Sequence, residues 1–275
     1  MNGMQQPAGF SYLPVVVKNL LIINFILFLL TYVFKNTNQT ELSQYLGLYY
    51  FKSDYFKPYQ FFTHLFMHGS FGHLFSNMFA LWMFGTALEN FWGPKRFIIY
   101  YFATGLGAAF LHTMVNYFQL SGFENALSLF LANPSYDSFE VFTLGAVPGM
   151  FKPQFIELLD AWGADKLNSQ YLSNAISLGN ELKTVLYNIP TVGASGAVFG
   201  VLLAFGMLFP NSIIYIFFAI PLKAKYFVML YGVFELYSGF ANNPGDNVAH
   251  FAHLGGMLFG FILIKFWNRN QFRQF

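Results

Sequence analysis

The chain contains no cysteine, so disulfides, thiolate metal sites and a cysteine nucleophile are all excluded. Charge is scarce as well: 9% of the 275 residues are Asp, Glu, Lys or Arg, against roughly a quarter in soluble domains. With 56% hydrophobic residues and a mean hydropathy of +0.46, the composition is that of an integral membrane protein. A net charge of +2, with no Lys- or Arg-rich tract, gives no means of gripping nucleic acid. The segment before Val15 lacks the basic stretch, short apolar core and small-residue cleavage site of a signal peptide, so the first span is expected to anchor the chain. No histidine is followed by Glu in an HExxH grouping, which counts against a metalloprotease, although His64 with His68 and His250 with His253 have ligand-like spacing. No internal repeat is visible, which counts against a transporter or channel built around a midplane site.

What is present is a series of apolar runs at about Val15 to Phe34, Phe61 to Leu88, Phe97 to Phe118, Ser195 to Phe209, Ala224 to Phe240 and Val248 to Trp267. They predict an all-α polytopic membrane protein, a six-transmembrane-helix bundle forming a single membrane domain over residues 1–275. Ile213 to Ile220 is apolar but short, β-branched and bounded by Pro210 and Pro221, so it reads as an interfacial link or an early start to the fifth span. Between the third and fourth spans, residues 119–190 carry seven acids (Glu124, Asp137, Glu140, Glu157, Asp160, Asp165, Glu181), scattered prolines and amphipathic pieces such as PQFIELLDAW. A helical extramembrane insertion is expected there. Its many Phe, Leu and Trp residues argue against a disordered loop.

Basic residues set the expected topology. Lys18, the connections bearing Lys95 and Arg96 and Lys223 and Lys225, and the tail bearing Lys265, Arg269 and Arg273 fall on one side, which the positive-inside rule makes cytoplasmic. Lys35, Lys52 and Lys57 in the first outer loop run against this. The insertion and the Asn242 to Asn247 connection then face outward.

Polar groups inside spans cost a few kcal/mol each on insertion scales, and here they are not scattered. His64, His68, His73 and Asn77 sit in the outer part of the second run, Ser195 at the outer start of the fourth span, Glu235 in the fifth, and His250 and His253 in the sixth. Gly69 and Gly72 mark where the second helix proper begins. At ~1.5 Å per residue, a position six residues into a helix lies about 9 Å down, so His73, Asn77, Ser195 and His253 share one layer below the outer surface. Gly196 and Gly200 are four apart in GAVFG, as are Gly256 and Gly260 in GGMLFG, and both are close-approach motifs of membrane helices. Tight packing of the fourth and sixth spans would bring the Ser195 hydroxyl within hydrogen-bond reach of the His253 imidazole, which is what an activated serine needs. Alone, each of these residues has a packing role as its ordinary explanation. Their joint occurrence at one depth, on helices expected to touch, favours chemistry.

Three stretches, HGSFGHLFSNMFALWMFG with the following ENFWGPKRF, then GASGAVFG, then AHFAHLGGMLFG, stand in order on the second, fourth and sixth spans. On these motifs the sequence resembles the rhomboid intramembrane serine proteases over roughly Tyr59 to Phe118 and Pro190 to Trp267. The insertion has no counterpart in the resemblance. The resemblance implies Ser195 as nucleophile and His253 as general base, without a cofactor. It also implies His73 and Asn77 as oxyanion donors beside backbone N–H groups near Ser195, and His68 as a residue shaping that site. Phe199 stands where the family often has a tyrosine beneath the catalytic imidazole. Gly193 belongs to the same motif, and His64 and His250 receive no role from it.

No carboxylate is evident as a third member. Asp246 is seven residues before His253, about 10 Å up the axis, and a Ser–His dyad is the better reading. Glu235 lies near the depth of His253 and is expected to be a carboxyl hydrogen-bonded to a neighbouring helix. The implied substrates are single-span membrane proteins, cut near the outer face of the lipid bilayer. The implied location is a bacterial inner membrane, with cytoplasmic termini and the site opening outward. A catalytically inactive rhomboid-like protein that binds membrane helices is the alternative.

Overall fold

The computed structural model describes residues 13–38, 41–216, 219–241 and 248–271. Asp246, the Asn242 to Asn247 connection and Arg273 lie outside the described residues. The chain begins with α1 (Val15–Asn38), followed by the short helices α2 (Ser43–Leu46) and α3 (Gln60–Thr63). Residues 71–92 then form one continuous helix made of α4 (Phe71–Ala80), a π-helical turn at Leu81–Gly85 and α5 (Thr86–Trp92). Next come α6 (Pro94–Ala132), α7 (Tyr136–Gly145), α8 (Lys152–Ala164), α9 (Ser169–Tyr187) and α10 (Ser195–Leu208). The strands β1 (Ile213–Ile216) and β2 (Ile220–Lys223) precede α11 (Ala224–Ala241) and α12 (His250–Gln271). The chain is thus mostly helical. By length and composition, three helices among the described residues are apolar enough to cross a membrane: Val15–Thr37, Pro94–Ala132 and His250–Asn268.

Local sequence explains the boundaries. Ser70 accepts the His73 N–H through its side chain and starts α4 just after Gly69, near the expected place. Gly93, at φ +79, separates α5 from α6, and Pro94 fills the first turn of α6, where its missing N–H costs nothing. Glu89 of α5 accepts the N–H groups of Val16 and Val17 at 2.9 and 2.8 Å, so a buried carboxylate satisfies the start of α1.

Two expectations need correction. The third helix does not stop at Phe118 but continues to Ala132, because Gln119 to Leu131 holds no proline and its one glycine, Gly122, is tolerated. At ~1.5 Å per residue it is about 58 Å long, nearly twice a ~30 Å hydrocarbon core. The fold is also not purely α-helical: the interfacial link is a small antiparallel hairpin, with Ile213 paired to Lys223 and Ile216 to Ile220, as its β-branched residues favour.

Packing divides into two cores. In the first, α6, α10 and α12 pack on one another around Tyr100, Tyr101, Ala197 and Val201, with Val17, Leu81 and Phe97 from α1, the π-helical turn and the start of α6. In the second, the far part of α6 packs with α7, α8 and α9 through Phe123, Phe130, Phe139, Phe142, Phe155 and Trp162. The outer surfaces of α1 and α11 carry exposed Phe25, Ile26, Leu29, Val233, Phe234 and Phe240.

Candidate active site

The stretch before α10 is held from three directions. Leu48 and Thr191 exchange backbone hydrogen bonds at 2.9 and 2.8 Å. His112 Nε2 lies 2.9 Å from Thr191 Oγ1, with Asn116 Nδ2 at 3.1 Å from the same nitrogen. Gly193 donates its N–H to the carbonyl of His64 at 2.9 Å, while His64 Nδ1 is 2.8 Å from the carbonyl of Gln60. His64 therefore anchors the loop through its backbone. His112 is a loop anchor that sequence reasoning missed, since a lone histidine in a long apolar helix carries no signal of its partner.

Gly193 adopts φ +126, a region that favours glycine. A β-carbon there would lie 2.7 Å from His73 Cε1, 2.8 Å from His73 Nε2 and 3.6 Å from Ser195 Oγ. The edge of the His73 ring and the Ser195 hydroxyl thus border one backbone carbon. Asn77, buried one turn further along α4, donates Nδ2–H to the carbonyl of His73 at 2.9 Å. Ser195 opens α10, so the N–H groups of its first turn have no acceptor within the helix and are available to an anion. His68 is buried with its ring edge-on to His73 at 5.1 Å, and neither of its nitrogens has a hydrogen-bond partner among the described residues.

Three contacts, from α10 and α11, hold His253. Its ring stacks on Phe199 of α10 at 4.0 Å between centroids and 6° between planes. Gly256, one turn below, meets the carbonyl of Gly196 directly, and a β-carbon there would overlap that oxygen. The third support comes from α11. Glu235 Oε2 lies 2.8 Å from His253 Nδ1 and 2.6 Å from His250 Nδ1, with all three side chains buried. Glu235 is thus bonded to the neighbouring helix as expected, and the surprise is which residues it bonds. Among the described residues, no hydrogen bond joins Ser195 to His253.

The remaining glycines bring in a third helix. Gly200 and Gly260 pack closest against α6: a β-carbon on Gly200 would lie 2.6 Å from Thr104 Cβ, and one on Gly260 would strike Tyr100 Oη. Tyr100 Oη–H donates to the Gly200 carbonyl at 2.8 Å. Gly196 likewise meets Ala108 of α6. The close approach therefore involves three helices.

Glu235, His250 and His253 form a compact group with the donor types that could hold a metal ion. Their existing hydrogen bonds already bring the three donor atoms together, and the expectation of a metal-free site rests on the sequence alone.

The chain matches the Rhomboid domain over residues 55–146 and 157–269, which takes in most of the insertion as well as the motif-bearing helices. It is 24% identical over 196 residues to RHOMBOID-like protein 12, mitochondrial, of Arabidopsis thaliana, covering 70% of this chain and 42% of that protein. It is 25% identical over 219 residues to an uncharacterized mitochondrial rhomboid protein of Schizosaccharomyces pombe, covering 75% of this chain and 51% of that one. The chain therefore spans about half the length of these relatives. Both are mitochondrial, which leaves the expected bacterial inner membrane without support, while the integral membrane character stands. The chain belongs to the rhomboid family.

Proposed function

We propose that the chain is an intramembrane serine endopeptidase that cuts a transmembrane segment near the outer face of the bilayer. The observation that carries this reading is the seating of His253. Its imidazole lies flat on Phe199, one turn along the helix that Ser195 opens, where Gly196 and Gly256 let the two backbones touch. In the six-span reading, α1, the helix of residues 71–92, α6, α10, α11 and α12 each cross the membrane. Ser195 then lies below the outer surface, and the termini are cytoplasmic.

In the first step, Ser195 Oγ attacks the scissile carbonyl while His253 takes the hydroxyl proton. The carbonyl electrons move onto oxygen, and that oxyanion is met by His73, Asn77 and the first-turn N–H groups of α10. His253 then returns the proton to the leaving amine, and water releases the acyl group by the same steps. His68 and Gly193 hold His73 in place against the nucleophile. The substrate is a single-span membrane protein whose outer end carries Gly or Pro. Hydrolysis needs an extended strand, and a helix within lipid has no water to take over its carbonyls.

Cleavage of a model transmembrane substrate by purified protein tests this. Ser195→Ala and His253→Ala should each abolish cleavage while leaving helix content unchanged. Wild-type turnover in either removes the protease reading. The absence of a Ser195–His253 hydrogen bond favours a second reading, an inactive relative that binds membrane helices. That protein would capture the substrate without cutting it and leave Ser195 unlabelled by a fluorophosphonate.

A further inference from the structure

We propose that Glu235 is the positioning residue of the catalytic imidazole, so that the Ser–His pair works as a Glu235–His253–Ser195 triad with His250 as a second clamp on the carboxylate. The proposal rests on the protease reading above.

Three observations carry it. Glu235 Oε2 is 2.8 Å from His253 Nδ1, so Nε2 is the ring nitrogen left to act as the base. An ionised carboxylate can only accept, so the bond requires a proton on Nδ1 and leaves the Nε2 lone pair free for Ser195. The same oxygen lies 2.6 Å from His250 Nδ1, which makes the second imidazole a donor as well and supports the carboxylate in its ionised form. Glu235 is also buried almost completely, and it is the one acidic residue of α11. A buried carboxylate is stable only where such donors surround it.

Phe199 and Glu235 divide the task of orientation. Stacking at 6° fixes the plane of the ring but allows it to flip by 180° about χ2, which exchanges Nδ1 and Cδ2. The bond to Glu235 removes that freedom and selects the tautomer. When Ser195 Oγ bonds to the carbonyl carbon, its proton passes to Nε2 and the ring becomes an imidazolium. Nδ1–H stays on nitrogen and Glu235 stays ionised, opposing the new positive charge. His250 keeps the carboxylate from swinging away.

The test combines kinetics with a measurement that needs no turnover. Glu235→Gln, which keeps the shape and loses the charge, should lower kcat on a transmembrane substrate about 10²- to 10⁴-fold, with KM and Tm near wild type. Glu235→Asp should recover part of that loss. Nitrogen NMR of histidine-labelled wild-type protein, with His253 assigned by its loss in His253→Ala, should show Nδ1 protonated and Nε2 bare at the alkaline end of its titration. In Glu235→Leu that tautomer preference should disappear. Unchanged kcat in Glu235→Gln, a loss matched by a fall in Tm that Asp does not relieve, or an Nε2–H tautomer in the wild type overturns the proposal. Wild-type turnover in Ser195→Ala would instead remove the protease reading, whereas unchanged kcat in Glu235→Gln beside a dead Ser195→Ala removes only the triad.

Discussion

At Gly193 a methyl group would meet two separate penalties, a backbone at φ +126 and the His73 ring at 2.7 Å. Gly193→Ala should therefore lower stability by about 1–3 kcal/mol and slow fluorophosphonate labelling of Ser195, because the loop must move away from the imidazole to admit the methyl. Gly72→Ala is the control: a β-carbon there meets nothing within 4 Å, and its effect should stay within about 0.5 kcal/mol. Thermal unfolding and labelling rates of the two variants, measured side by side, check the contrast. Equal behaviour would mean that the His73–Gly193 contact does not shape the site. The same scale shows what a sequence discloses. Ser195, His73 and His253 were legible because polar groups in apolar helices are few and because depth can be counted along an axis. The bonds from Glu235 to His253 and from His112 to Thr191 were not, since depth says nothing of which way around its helix a side chain points.

Small residues govern how the helices meet. Gly256 packs against the carbonyl of Gly196, and Gly200 and Gly260 receive Thr104 and Tyr100 from α6, so each glycine removes a side chain where another helix has an atom. Gly256→Val should push α12 from α10 and lose Tm and activity together, since the packing and the seating of His253 on Phe199 depend on the same contact. Tyr100→Phe is a milder probe of the third helix. It keeps the ring and removes one buried hydrogen bond to the Gly200 carbonyl, an expected loss of about 0.5–1.5 kcal/mol with the active site intact. Full activity in Gly256→Val would separate the site from the packing. The pairing of α10 with α12 could be read from the two glycine motifs. The part played by α6 could not, because Thr104 and Tyr100 are unremarkable in sequence and become partners only once three helices converge.

For the molecule as a whole, the open question is what the second core does. Its buried residues all fall between Phe123 and Leu182, and its aromatic rings stack on one another, Phe130 on Phe142 and Phe139 on Phe155. Its acidic, amphipathic sequence announced helices, but the continuation of α6 into it was hidden by the apparent end of the apolar run at Phe118. Two ties connect this unit to the site. Glu124 pairs with Lys52 at 2.7 Å and bonds to Tyr187, and Ser53 donates to Asn188 at 2.7 Å, next to the segment where Leu48 holds Thr191. On the protease reading proposed above, a membrane-embedded substrate approaches past these segments, whereas a small fluorophosphonate need not. Because the chain enters and leaves the unit side by side, with Leu127 of α6 against Gly179 of α9, residues 123–182 can be replaced by a short Gly-Ser bridge. This deletion should slow cleavage of a transmembrane substrate by at least about tenfold while leaving fluorophosphonate labelling of Ser195 within about threefold, an uneven loss expected of a docking role and not of a catalytic one. Cleavage and labelling that fall together would make the unit a structural support for the Thr191–Ser195 segment, and no change in either would reduce it to a spacer.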